Sequence, residues 1–149
     1  MLYLKYFESK ENITICACEK SEKTYNFVSD YLSLMPYEDY INNDNLYQVC
    51  CYKNDLLIGV RIFRMKEGKI HLNYSAVKKE FRNRGVNKMM FDKIKEIAIE
   101  NNVSLITSNV RESNISSIKS LLSCGFKIND RVNLYYPDGE RKIPFFIKL

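Results

Sequence analysis

A mixed α/β fold, with a mostly antiparallel central sheet flanked by helices, is what this sequence predicts, and three observations carry the expectation. Between residues 46 and 77, three apolar runs rich in β-branched and aromatic residues are separated by the short polar turns Lys53-Asn54-Asp55 and Glu67-Gly68-Lys69, the pattern of consecutive hairpins. From Val86 the apolar spacing changes to threes and fours, through Met90, Ile94, Ile97 and Ala98, which is the period of an amphipathic helix. Past Asn101 a strand-like run from Ser104 to Val110 precedes a second helical pattern and a C-terminal strand, Phe145 to Leu149.

The elements follow in order. Ile13 to Cys18 reads as the opening strand, with Met1 to Glu8 as an added edge strand or arm. Lys20 to Ser33 carries Tyr25, Val28, Tyr31 and Leu32 at helical spacing, and Pro36 is expected to end that helix because it lacks an N–H and its ring clashes with the preceding turn. Tyr37 to Asn42 is expected as a second short helix before the Asn-rich turn at 42–45. Strands are then expected over residues 46–52, 56–64 and 69–77. In the second half Asn114 is placed to cap a helix carrying Ile115, Ile118, Leu121 and Leu122; Gly125 is a left-handed stop, with Phe126 folding back onto it. The Asp138-Gly139 turn closes the last hairpin, which gives the order strand, two helices, three antiparallel strands, helix, strand, helix, two strands.

Size and composition bound the function. A chain of 149 residues is expected to form one domain over 1–149 and to bury about two-thirds of its unfolded surface. Hydrophobic content of 46% argues for a folded globule. No apolar run approaches the roughly 20 residues of a membrane helix, and the N-terminus lacks a signal peptide's sustained apolar stretch, so a cytoplasmic location without membrane contact is expected. The five cysteines have no CxxC spacing and are expected as reduced thiols, Cys16 and Cys18 on one strand face, Cys50 and Cys51 on opposite faces. With a single histidine and no ligand-like spacing, no metal site is expected. The net charge of +5 raises the question of nucleic acid, but the aromatics lie mainly in strand-like runs where they serve packing, so no nucleic-acid partner is expected. The same charge can steer an anionic nucleotide.

The most informative stretch is Arg82-Asn83-Arg84-Gly85-Val86-Asn87-Lys88, a basic turn between a strand and a helix. There the first helical N–H groups lack partners and carry the positive end of the dipole, so the turn suits an anion. Gly85 permits close backbone approach or a positive φ. Lys78, Lys79, Arg82, Arg84 and Lys88 face one acid, Glu80, which points to a polyvalent anion such as a phosphate.

This turn resembles the acyl-CoA pyrophosphate loop of the GCN5-related N-acetyltransferase (GNAT) superfamily, with Arg82 and Gly85 at the matching positions and Asn87 where the family favours a smaller residue. Asn114, Ser117 and Gly125-Phe126 fall at the family's later spacings, and Leu57-Ile58-Gly59-Val60 looks like its strand with an internal glycine. The resemblance runs from about Tyr47 to Leu149 and implies the acyl-CoA N-acyltransferase fold. It also implies an acyltransferase moving groups other than aminoacyl groups, with acetyl-CoA or another acyl-CoA as co-substrate and an amine of a small molecule or peptide as acceptor, attacked directly. A homodimer is compatible with it. By that resemblance Arg82, Asn83, Arg84, Gly85, Val86, Asn87 and Lys88 hold the pyrophosphate, the backbone N–H of Val77 polarises the acyl carbonyl, and Asn114 contacts the CoA arm.

The catalytic positions depart from the family. Its general-base glutamate corresponds to Asn73, which cannot take a proton, and its general-acid tyrosine to Leu121. His71, two residues before Asn73 and expected on the same strand face, titrates near neutrality and is the candidate substitute base; a solvated hairpin histidine is the plain alternative. Tyr74, Tyr135 and Tyr136 remain as candidate proton donors. Ser116 and Ser117 fit ordinary helix turns. The departures also motivate a second function, an acyl-CoA-binding sensor or partner-binding module that kept the loop without the chemistry.

Overall fold

The computed structural model describes residues 5–8 and 12–149. Its centre is a nine-stranded sheet, β1 (Lys5–Glu8), β2 (Ile13–Ala17), β3 (Leu46–Lys53), β4 (Leu56–Lys66), β5 (Lys69–Val77), β6 (Leu105–Arg111), β7 (Lys127–Ile128), β8 (Leu134–Tyr135) and β9 (Arg141–Lys148). The order across it is β1-β2-β3-β4-β5-β6-β9-β7, with β8 also pairing β9. All pairs are antiparallel except β5 with β6, which a crossover through α3 (Val86–Glu100) makes parallel. The mixed, mostly antiparallel fold expected from the sequence is the fold observed. Of the expected N-terminal arm, Lys5–Glu8 is an edge strand on β2; Met1–Leu4 lie outside the described residues.

Helices cover both faces. Val86, Met90, Phe91, Ile94 and Ala98 of α3, with Leu121 of α4 (Ile115–Ser123), close over Ile58, Phe63 and Ile70. On the other face Val28 of α1 (Glu22–Ser29) and Tyr40 of α2 (Tyr37–Asn42) pack on Cys50, Val60 and Ala76. Beneath α1 the buried Gln48 is fully used: it accepts from Tyr40 Oη at 2.7 Å and donates to Glu19 O at 3.0 Å and Thr24 Oγ1 at 3.1 Å. Such a satisfied polar cluster fixes the position of α1 and α2 on β3 without the cost of a buried orphan group.

Three expectations are corrected. The helix expected over Lys20–Ser33 is only Glu22–Ser29, opened by a Ser21/Thr24 capping box; Pro36 does not end it but precedes α2 as its N-cap. Tyr31 and Leu32, which extended the helical spacing, leave the helix and reach the loop before α3, where the Tyr31 ring lies 5.4 Å from the Arg82 guanidinium. Two end strands were expected and three short or long ones occur, because β7 pairs with β9 as a separate two-residue strand. Cys18 and Cys50 form a disulfide, Cα atoms 6.4 Å apart, where reduced thiols were expected. Register explains it: Cys50 pairs with Cys16, so Cys18, two residues on and on the same face, reaches the same neighbour diagonally.

Candidate functional site

A wedge between β5 and β6 makes the site. β5 pairs with β6 only over Lys69–Leu72, against Leu105–Ser108, although β5 continues beside β4 to Val77 and β6 beside β9 to Arg111. Beyond Leu72 and Ser108 the two central strands therefore part, and α4 lies over the gap. Two joined clefts fill it: an inner one of about 370 Å³ and an outer one of about 850 Å³, both in the range of small-molecule sites. Leu32, Ser75, Asn87, Asn114 and Ser117 line both.

The β5 wall is shaped by a bulge at Asn73. Leu72 pairs with Phe63 and Tyr74 with Ile62, so Asn73 is passed over and the side-chain alternation reverses there. Ile70 and Leu72 before it share the α3 face with Val77 after it, while Ala76 joins the α1 face. Further along, Lys78 N donates to Ile58 O at 2.8 Å. The adjacent Val77–Gly59 pair is then the unbonded kind, and Val77 N–H points away from β4, into the gap that β6 has left.

The basic loop enters the outer cleft. After a 3-10 turn at Lys79–Phe81, Asn83 and Gly85 both take positive φ, 61° and 81°, and α3 starts at Val86 with no side chain capping its first N–H groups. A Cβ built on Gly85 would touch nothing within 4 Å, so the space over this helix end is open. Arg82 donates from Nε to Val77 O at 3.0 Å. Arg82, Asn83, Gly85, Val86, Asn87 and Lys88 all line the outer cleft, as does Lys119 of α4. Arg84 does not; its guanidinium stands 5.6 Å from the Phe81 ring centre, and Lys88 is paired with Asp92 at 3.2 Å. The uncapped helix end, two left-handed residues and converging cations form a fitting cradle for a pyrophosphate.

At the start of α3 helix and sheet touch. A Cβ on Gly59 would come within 3.1 Å of Val86 Cγ1 and 3.2 Å of Met90 Cε, so only glycine in β4 lets this first turn sit so low. Asn87 hydrogen-bonds through Oδ1 with Ser75 Oγ, which ties the turn to β5. Across the cleft Asn114 caps α4, accepting from Ser117 N at 3.2 Å.

The residue profile of the "Acetyltransferase (GNAT) family" matches residues 13–126. The chain belongs to the GNAT acetyltransferase family. Solved structures agree in fold. The ribosomal-protein-S18-alanine N-acetyltransferase of Escherichia coli is 18% identical, with 91% of this chain and 93% of that one covered and a TM-score of 0.77. A Bacillus subtilis acetyltransferase in complex with CoA is 16% identical, covering 91% and 97%, at a TM-score of 0.74. A GNAT family acetyltransferase from Elizabethkingia anophelis with acetyl-CoA bound is also 16% identical, covering 93% and 99%, at 0.74.

Within this GNAT domain the candidate catalytic residues part company. Asn73 lines the inner cleft, and its Oδ1 is buried without a hydrogen-bond partner. His71 lines neither cleft: its Nδ1 is 2.8 Å from Thr107 Oγ1 on the neighbouring strand, so His71 does not join Asn73 at the inner cleft. Burial first, then the charges of Arg64 and Lys142, lower the His71 pKa. Leu121 is buried against the inner cleft. Of the three tyrosines considered as donors, Tyr74 and Tyr136 line that cleft and Tyr135 does not. Desolvation raises the Tyr136 pKa, against the opposing charge of Arg111, whose guanidinium is 4.1 Å from its ring centre.

Two lining residues carried no functional signal in the sequence. Ser116 faces both clefts, although its position suited a plain helix turn, as does Ser117 at the family spacing. Arg61 is the more consequential. It sits inside an apolar strand run, is only 8% exposed, and lines the inner cleft. Burial pushes its pKa down to about 10, which still leaves it charged at neutral pH.

Proposed function

We propose that this GNAT domain transfers acetyl from acetyl-CoA to an amine by direct attack. The observation that carries this reading is the continuity of one cleft from the uncapped N-terminus of α3 to the Val77 N–H in the gap between β5 and β6. In it the loop from Arg82 to Lys88 holds the pyrophosphate, chiefly through the Gly85–Lys88 main chain with Arg82 and Lys119, and Asn114 meets the CoA arm. Val77 N–H donates to the acyl carbonyl oxygen as negative charge develops there. The amine lone pair forms the C–N bond, the C–S bond breaks with its electron pair left on sulfur, and the amine's proton passes to the thiolate or solvent. Tyr136, kept protonated by its raised pKa, is the cleft hydroxyl suited to hand a proton to that sulfur.

Neither Asn73 nor His71 serves as base in this reading, since an amide cannot take the proton and the imidazole lies outside the clefts. Orientation in the wedge and carbonyl polarisation carry the rate, and the acceptor arrives neutral. A cytoplasmic setting, where acyl-CoA is made, suits the reaction. The amide and leucine at positions 73 and 121 favour one second reading, a CoA-binding sensor or partner-binding module. Free-thiol release from acetyl-CoA, measured against polyamines, aminoglycosides, amino acids and peptide N-termini, separates the two. Acceptor-dependent release supports the transferase; saturable CoA binding with no release on any acceptor supports the module.

A further inference from the structure

Two buried polar atoms among the described residues have no hydrogen-bond partner, Arg61 Nε and Asn73 Oδ1, and both residues line the same inner cleft. One is a cationic donor and the other a neutral acceptor. Among the described residues the Arg61 guanidinium makes one hydrogen bond, a long 3.4 Å one from Nη1 to Asn87 O, with the Phe91 ring centre at 5.9 Å and the Cys124 thiol, an uncharged group in its ordinary state, close enough to interact with it. The ion pairs of the described residues join Lys88, Lys93 and Arg111 to acids, and none involves Arg61. A buried guanidinium with no counter-charge is costly and does not deprotonate to escape the cost, so a site holding one is built for an anion. Beside it a bare carboxamide oxygen asks for an N–H donor.

Building on the acyl-transfer reading, we propose that the acceptor amine also carries a carboxylate, which Arg61 binds while Asn73 Oδ1 accepts from the amine. Arg61 selects the substrate, and Asn73 positions the nitrogen instead of deprotonating it. The acceptor class is thus an amino acid or a similar amino-carboxylate. Pairing with Arg61 neutralises both buried charges, and the N–H bond to Asn73 directs the lone pair of a neutral amine towards the gap where Val77 N–H polarises the carbonyl.

The test uses matched acceptor pairs, each amino-carboxylate against its own amide: alanine, β-alanine and 4-aminobutyrate, which vary the distance from amine to carboxylate. Removing the negative charge lowers the amine's pKa, so chemistry alone favours the amides. The wild-type protein is expected to reverse that bias, with at least one carboxylate preferred about tenfold or more in kcat/KM, the scale of a charged hydrogen bond. In Arg61→Gln the ratio should collapse towards the amide, mainly through KM. The same pairs are scored for thermal stabilisation of the CoA complex, a readout that does not need turnover. Equal use and equal stabilisation by acid and amide in the wild-type protein would overturn the proposal even if Arg61→Gln fails to fold. A variant that leaves the acceptor ratio intact and changes only the preference between acetyl-CoA and succinyl-CoA would also overturn it, because the carboxylate would then belong to the acyl group. Loss of CoA binding and of all thiol release would defeat the acyl-transfer reading itself, whereas CoA-dependent turnover with no preference for carboxylates defeats this inference alone.

Discussion

Arg82 Nε donates to the main-chain carbonyl of Val77 at 3.0 Å, so the first residue of the basic loop is tied to the last residue of β5. The bond satisfies the Val77 carbonyl on the open side of the strand and leaves the neighbouring N–H free to face the gap. It also holds a guanidinium at the mouth of the outer cleft. One side chain thereby ties the loop proposed to hold the pyrophosphate to the strand end whose N–H is proposed to polarise the carbonyl.

That coupling predicts that Arg82→Lys is not conservative. A lysine keeps the charge but cannot reproduce the planar donor set of the guanidinium. CoA at about a hundred times Kd should stabilise the parent by about 2.7 kcal/mol and raise Tm by roughly 5 to 10 °C. In Arg82→Lys the CoA affinity should fall about tenfold, read by the same thermal titration, and turnover should fall further than affinity. No shift in the parent at millimolar CoA would contradict the CoA site altogether.

Two glycines should separate stability from binding. At Gly59 an added Cβ presses on Val86 Cγ1 and Met90, so Gly59→Ala should lose about 1 to 3 kcal/mol in a denaturant titration and weaken CoA binding by lifting the start of α3. Gly85 has open space around it, so Gly85→Glu should meet no clash; it adds left-handed strain and places a carboxylate where phosphate belongs. The variant should remain folded by circular dichroism and bind CoA at least tenfold more weakly. Unimpaired binding would put the anion elsewhere.

Asn87 departs from the small residue of the family pattern and is spoken for by its hydrogen bond with Ser75. Asn87→Gly should therefore cost about 1 to 2 kcal/mol of stability, from the lost bond and the helix preference, while binding CoA at least as well as the parent. A marked loss of affinity would show that the amide nitrogen donates to a phosphate.

His71 should act on stability and not on the rate. Its folded pKa lies below the ordinary 6.5, so the folded protein binds fewer protons there than the unfolded chain does. Its contribution is fully present above the unfolded pKa and is lost as pH falls through 6.5 towards the folded value. His71→Gln should accordingly lose less stability than the parent on acidification below pH 6.5. The pH dependence of turnover should follow the acceptor's own pKa in both proteins. Without a base, at pH 7.4 an amine of pKa about 10.4 is only about 0.1% neutral, against about 30% for one near 7.8, so low-pKa amines should be favoured by up to about 300-fold. A tenfold drop in rate with a flattened acidic limb in His71→Gln would instead make the imidazole the base.

Much of the architecture was legible because it rests on local physics. Period-two runs closed by Lys53-Asn54-Asp55 and Glu67-Gly68-Lys69 specify the β3-β4-β5 meander, and the strand expected at Lys69–Val77 has the observed bounds. Val86 opens its helix as the spacing indicated, Asn114 caps α4, and Gly125 takes φ 93° with Phe126 N bonded back to Leu121 O. Caps, turns and glycine stops involve neighbours in sequence, so their signals are written within a few residues.

The sequence by itself determined the strand and helix order as far as α4, the basic loop at a helix start, and the residues at positions 73 and 121. Tertiary structure alone decided what those residues face. Asn73 lines the inner cleft and His71 does not, and nothing in the alternation of β5 announces the one-residue bulge at Asn73, because a bulge is a property of the pairing with β4. The gap between β5 and β6 depends on where parallel pairing stops. Arg61 is one more residue in an apolar run until β4, α3 and α4 enclose it without a counter-charge. Burial and partnership are sums over segments distant along the chain, and the chemistry of the inner cleft is set by those sums.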